Sequence, residues 1–173
     1  MIPYGKQDVT KEDIKSVVNI LNSDFLTQGP AVPLFEKSLC DYTGAEYSIA
    51  VNSATSALHI ACLSLDLKKG DILWTSAISF VASANCAIYC GAEVDFVDVD
   101  SDSGLMSVDA LRSKLLKAKS ANTLPKIVIP VHLAGQSCNM KEIFKLSKEF
   151  NFRIIEDAAH AIGAEYFDKK VGS

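Results

Sequence analysis

Apolar positions recur along this chain in two rhythms, and the switch between them divides it. From Thr10 to Gly44 the rhythm is helical. Thr10-Lys-Glu-Asp13 resembles a capping box with Asp in place of the usual Glu, and Ile14, Val17, Val18 and Leu21 follow on one helical face. Leu26-Thr-Gln-Gly-Pro30 breaks the pattern. Pro33 then opens a second helix carrying Leu34, Phe35, Leu39 and Tyr42, with Gly44 as its cap. Beyond Gly44, short apolar runs alternate with helical stretches. Strands are expected over residues 48–51, 72–75, 94–97, 126–131 and 152–156. Helices are expected over 57–67, 80–89, from Ser107 through Leu116, and over 140–150. The tail, 164–171, reads as a hairpin turning at Asp168-Lys169.

Five strands separated by helices predict an α/β fold with a mostly parallel sheet. The core strands are apolar on both faces, as a sheet covered by helices on both sides requires. The expected division is an N-terminal helical segment, 1–45, followed by the sheet domain, 46–173.

Composition narrows the function classes. In 173 residues, 49% hydrophobic and 22% charged, there is enough apolar material for a sizeable core, which excludes intrinsic disorder. A net charge of −4 without a Lys/Arg run argues against nucleic acid as partner. The most apolar region, 79–97, is interrupted by Asn85, Gly91, Glu93 and Asp95, so no membrane span is expected. The N-terminus lacks the charged and apolar regions of a signal peptide. Five cysteines, an odd number with no CxxC pair, read as small buried hydrophobes in a reducing cytoplasm. The histidines lack a matched ligand set, so no metal site is expected.

In a doubly wound sheet, ligands gather beyond the carboxyl ends of the strands. Asn52-Ser-Ala-Thr-Ser56 places hydroxyls and backbone N–H groups at a helix start, which suits an anion or serves as an ordinary cap. It is neither a Walker loop nor a dinucleotide fingerprint. Asp157 ends an apolar strand; it either caps the next turn or faces a cationic group, such as a protonated pyridine nitrogen. Phe80 is either core or a flat surface for a planar ring. His132 and His160 fall near the same edge.

Phosphate turn, aromatic and strand-end acid in this order resemble a fold-type I pyridoxal-phosphate enzyme. With Leu26-Thr-Gln-Gly29, Asn52-Ser-Ala-Thr-Ser-Ala-Leu58, Ser79-Phe-Val-Ala-Ser-Ala-Asn85, Pro130-Val-His-Leu-Ala-Gly135 and Glu156-Asp-Ala-Ala-His-Ala161, the chain resembles the sugar aminotransferases of the DegT/DnrJ/EryC1/StrS family over essentially its whole length. Ile2-Pro-Tyr-Gly-Lys-Gln7, Ser23-Asp-Phe-Leu-Thr-Gln-Gly-Pro30 and Val131-His-Leu-Ala-Gly-Gln-Ser-Cys138 are most similar to the branch acting in pseudaminic acid biosynthesis. The resemblance implies pyridoxal 5′-phosphate as cofactor, a UDP-linked 4-keto-6-deoxy sugar as substrate, L-glutamate as donor, a homodimer and a cytoplasmic location. It implies that Ala54, Thr55 and Ser56 hold the phosphate, Phe80 stacks on the ring, Asp157 pairs with the ring nitrogen and His160 lies near the phenolic oxygen. Asp157 and His160 are thus the implied catalytic residues. Tyr4, Asp24, Phe25, Leu26 and Thr27 would contact the sugar nucleotide. The family's Ser-Phe-His-x-x-Lys motif, with its Schiff-base lysine, does not occur here, and neither does the family's small domain. The expectation is therefore a large domain cut before that lysine, inactive by itself. Two other readings stay open: a sugar dehydratase of the same superfamily, and a non-catalytic nucleotide-sugar-binding fragment.

Overall fold

The computed structural model describes residues 6–173. Helix α1, Lys11–Leu21, starts where the capping box placed it. The Thr10 hydroxyl accepts the Asp13 N–H, and the Asp13 carboxylate accepts the Thr10 N–H. Helix α2, Ala31–Thr43, ends at Gly44, whose φ of 85° is a left-handed cap that glycine adopts without strain. It starts ahead of Pro33, which sits in the first turn, where its missing N–H costs no helical bond.

The alternating part follows as α3 (Ala54–Ser64), β1 (Ile72–Ser76), α4 (Ala82–Tyr89), β2 (Glu93–Val97), α5 (Val108–Ala121), β3 (Ile127–Ile129), α6 (Met140–Phe150) and β4 (Arg153–Ile154). A small hairpin, β5 (Glu165–Tyr166) and β6 (Lys169–Lys170), ends it. The sheet is parallel, in the order β2-β1-β3-β4. The chain moves from β1 outward to β2, then crosses back to β3 on the other side of β1. That reversal opens a crevice at the carboxyl ends of β1 and β3.

Strand alternation sorts the core into two layers. Leu73, Ile127 and Ile129 pack with Leu58 and Cys62 of α3 and Cys86 of α4. Trp74 and Val128 point the other way, into Leu111 and Leu115 of α5 and Ile143 and Leu146 of α6. Coverage of both faces explains why Ile127-Val-Ile129 is apolar throughout and wholly buried.

Four expectations need correction. Residues 48–51 form no strand, so the parallel sheet has four strands among the described residues rather than five. Among the described residues no ladder partner lies beside them, and the Ala50 N–H is taken by Glu36 Oε1 at 2.8 Å. β-rich sequence becomes a strand only where a neighbour supplies the ladder. Helix α3 starts at Ala54, not 57, because Ser53 caps it. Helix α4 starts at Ala82, not 80, because tight turns from Phe80 O to Ser83 N and from Val81 O to Ala84 N lead into it. The hairpin turns at Phe167 and Asp168, one residue early. Both have positive φ, as a two-residue hairpin loop of this hand requires.

Much apolar surface is left uncovered. Helix α1 has no buried residue, and Ile14, Val17 and Leu21 are all more than half exposed. The accessible surface of 11634 Å² exceeds the roughly 8,300 Å² of a compact monomer of this size. Apolar patches beyond a few hundred Å² promote association. The 173-residue chain alone is therefore expected to self-associate with rising concentration. Light scattering checks this, and a monodisperse monomer across the concentration range would contradict it. No helix among the described residues is long and apolar enough to cross a membrane.

Candidate active site

Four segments meet beyond the carboxyl ends of β1 and β3. The first is the start of α3. The Ser53 hydroxyl caps it by accepting the Ser56 N–H at 3.2 Å, and the Ser56 hydroxyl donates to Asn52 Oδ1 at 2.7 Å. Among the described residues, the N–H groups of Ala54 and Thr55 and the Thr55 hydroxyl make no hydrogen bond. These donors sit at the positive end of the helix dipole.

The second segment follows β1 and carries Ile78, Ser79 and Phe80, the last 72% exposed. The third is the 3₁₀ turn Leu133–Gly135 after β3. Its glycine has a φ of 89°, and a Cβ there would lie 3.1 Å from the His160 carbonyl oxygen. Glycine thus lets this turn close against the fourth segment, which runs from Asp157 to His160.

Asp157 is held at every polar atom. Its N–H donates to Pro130 O at 3.0 Å, and its carbonyl accepts the His132 N–H at 3.0 Å, extending the β3–β4 pairing to the strand tip. The carboxylate accepts the Ser83 hydroxyl on Oδ2 at 2.6 Å and the Ala159 N–H on Oδ1 at 3.3 Å. These bonds compensate for burying a charge at the end of an apolar strand.

The four segments enclose a cavity of about 600 Å³, a size common for small-molecule sites. Ala54, Thr55, Phe80, Asp157 and His160 line it, with Leu58, Ile78 and Leu133 as apolar walls. It offers helix-end donors for an anion, an aromatic face for a planar ring and a carboxylate for a cationic group. Those are the needs of a phosphorylated, protonated heteroaromatic ring.

Not all residues singled out in the sequence come together. Ser56 shares the α3 turn, but its hydroxyl is committed to Asn52 and it does not line the cavity. Asp24, Phe25, Leu26 and Thr27 lie between α1 and α2 and do not line the cavity either; Phe25 and Leu26 are well exposed. Tyr4 falls outside the described residues. His132 is buried behind the site. Its Nδ1 accepts the Cys138 N–H at 3.2 Å, which makes Nε2 the protonated nitrogen, donating to Glu156 Oε2 at 2.8 Å. Sequence reading passed over Ser83 and Leu133. The spacing of Ser79 and Ser83, four apart at a helix start, was the available signal for the first.

A family profile described as the DegT/DnrJ/EryC1/StrS aminotransferase family matches residues 7–173. The UDP-4-amino-4,6-dideoxy-N-acetyl-beta-L-altrosamine transaminase of Campylobacter jejuni subsp. jejuni serotype O:23/36 (strain 81-176) is 38% identical over 173 residues, covering 100% of this chain and 45% of that protein. The solved structure of Helicobacter pylori PseC, an aminotransferase involved in the biosynthesis of pseudoaminic acid, superposes with a TM-score of 0.88 at 34% identity. It covers 98% of this chain and 44% of that one. The putative sugar aminotransferase Spr1654 from Streptococcus pneumoniae, solved in its PMP form, gives a TM-score of 0.86 at 30% identity, covering 99% of this chain and 46% of that one. The chain spans a little under half the length of the relatives it matches. With that match over nearly all its residues, the chain belongs to the DegT/DnrJ/EryC1/StrS aminotransferase family.

Proposed function

We propose that this chain supplies the cofactor-binding face of a pyridoxal 5′-phosphate-dependent aminotransferase. The reaction converts a UDP-linked 4-keto-6-deoxy sugar to its 4-amino sugar with L-glutamate as donor, in pseudaminic acid or related surface-glycan biosynthesis. The observation that carries the reading is the single cavity shared by the α3 N-terminus, Phe80 and Asp157. Support for the substrate comes from the Campylobacter relative's name, and for the cofactor from the pneumococcal relative, solved in PLP and PMP forms.

The residues present fit the cofactor. The Ala54 and Thr55 N–H groups and the Thr55 hydroxyl would hold its phosphate, and Ser56 joins them by giving up its bond to Asn52. The exposed Phe80 ring would cover one face of the pyridine. Asp157 would keep a proton on the ring nitrogen, because a carboxylate favours the charged form of a basic partner. His160 would lie on the side of the phenolic oxygen. When bound, the cofactor supplies an electron sink for negative charge developing at the donor's Cα. The N-terminal segment 1–45 would bring Tyr4 and residues 24–27 to the sugar nucleotide, where exposed Phe25 and Leu26 are available to a second subunit of a cytoplasmic homodimer. Residues 46–173 form the first part of the cofactor domain.

The test is the whole protein with PLP, L-glutamate and a UDP-4-keto-6-deoxy sugar, with products read by mass spectrometry. Amination at C4 with release of 2-oxoglutarate is expected; loss of water without amination would replace this reading with the dehydratase one. The 173-residue chain alone is expected to show no turnover, since no lysine lines the cavity among the described residues. Borohydride reduction followed by peptide mapping checks this. A stable pyridoxyl adduct at one lysine of the short chain, together with turnover, would overturn it.

A further inference from the structure

Asp157 has a partner that its neighbours in the chain do not explain. Ser83, in α4, is fully buried, and its hydroxyl lies 2.6 Å from Asp157 Oδ2. On the other side, Ser83 Oγ is 2.6 Å from Ser79 Oγ. A hydroxyl has one proton. Ser83 gives its proton to the carboxylate, which has none to offer, so in the Ser79–Ser83 contact Ser79 is the donor, and this 2.6 Å contact is shorter than its alternative one to the Phe80 carbonyl at 3.1 Å. The run Ser79 to Ser83 to Asp157 therefore has one direction. It begins at a residue lining the cavity and ends on the carboxylate, and each bond polarises the next.

The two carboxylate oxygens are held unequally. Oδ2 is occupied by a short, charge-assisted bond, whereas Oδ1 accepts only the longer one from Ala159. We infer that Ser83 is a positioning residue for Asp157: it sets the carboxylate's orientation and stabilises its negative charge, so that Oδ1 can hold a proton on a cationic ring group, with Ser79 polarising the relay. This rests on Asp157 being the ring-nitrogen partner. Other titratable groups around Asp157 are few. The Cys86 thiol of α4 feels the carboxylate's charge, and His160 shares the cavity. Glu156 directs its carboxylate to His132.

The test follows ring-nitrogen protonation in the whole protein loaded with PLP isotopically labelled at that nitrogen, by NMR against pH. Parent, Ser83→Ala, Ser83→Thr, Ser79→Ala and Asp157→Asn are compared, with thermal melts to confirm folding. Ser83→Ala is expected to lower the protonation midpoint by roughly one pH unit, a tenfold effect at the low end for a hydrogen bond to a charged group. Ser83→Thr keeps the hydroxyl and restores the midpoint. Ser79→Ala lowers it by less, and Asp157→Asn lowers it furthest. A folded Ser83→Ala protein at the parent midpoint, with Asp157→Asn shifted, would overturn the positioning role alone. An unmoved Asp157→Asn midpoint would overturn the underlying reading of Asp157. If Ser83→Ala does not fold, the other two serine variants decide: Ser79→Ala at the parent midpoint, or a folded Ser83→Thr away from it, rejects the relay.

Discussion

Asp157→Asn in the whole protein lowers kcat for amino transfer by roughly 10²–10³-fold, the scale on which a single preorganised electrostatic contact acts. The substitution removes the charge and, at Oδ1, one long hydrogen bond from the Ala159 N–H. An asparagine oxygen can still accept the Ser83 hydroxyl, and the backbone bonds to Pro130 and His132 do not involve the side chain. What disappears is the negative charge that favours a protonated ring nitrogen. The melting temperature should therefore move far less than the rate. Release of 2-oxoglutarate under saturating L-glutamate measures the effect. Turnover within a few-fold of the parent would remove Asp157 from this role.

Trp74→Ala is the substitution with the largest expected effect on stability. Trp74 is 2% exposed, at the centre of the sheet face covered by α5 and α6. Lys114 Nζ lies 4.9 Å from its ring centroid and also pairs with Asp95 at 2.6 Å, so the indole supports the edge strand β2 as well as the core. Truncating a buried tryptophan costs about 3–5 kcal/mol, a large share of the roughly 5–15 kcal/mol that holds a domain folded. Urea unfolding of the whole protein by circular dichroism reads this directly, without relying on the fluorescence of the tryptophan that the variant removes. A loss below about 1 kcal/mol would mean that the space is refilled and that Trp74 is no keystone of this layer.

The elements most legible in sequence were those whose signals are local. Helix α6 runs over the predicted residues, and the Thr10 box and Gly44 cap mark real helix ends, because capping is settled within a turn or two. Residues 48–51 misled because their apolar pattern describes a preference, while a strand needs a neighbour that no pattern within the segment can report. The cavity was legible for a topological reason. Strand ends in a parallel sheet share one edge, so Phe80, Asp157 and His160, which follow β1 and β4, could be placed together without side-chain detail, while Ala54 and Thr55 reach the same cavity from the start of α3, after a segment that forms no strand. Ser83 was not, because its partner lies 74 residues away and only the packing of α4 against the sheet brings the two together.

That separation also bears on the order in which the molecule assembles. Every strand pair in the main sheet is parallel, so each joins through a crossover rather than a tight turn. β1 and β2 enclose only α4 between them, while β3 must return across α5, and β4 can dock only on β3. Contacts between distant parts of the chain slow folding, because the ends of long loops must meet before any contact rewards the closure. Asp157 cannot meet Ser83 until β4 is in place, so a chain that has formed only β1, α4 and β2 has no cavity. Ligand capture in that cavity is thus a reporter of late folding. A molecule that binds there draws partly folded chains toward the native state by mass action.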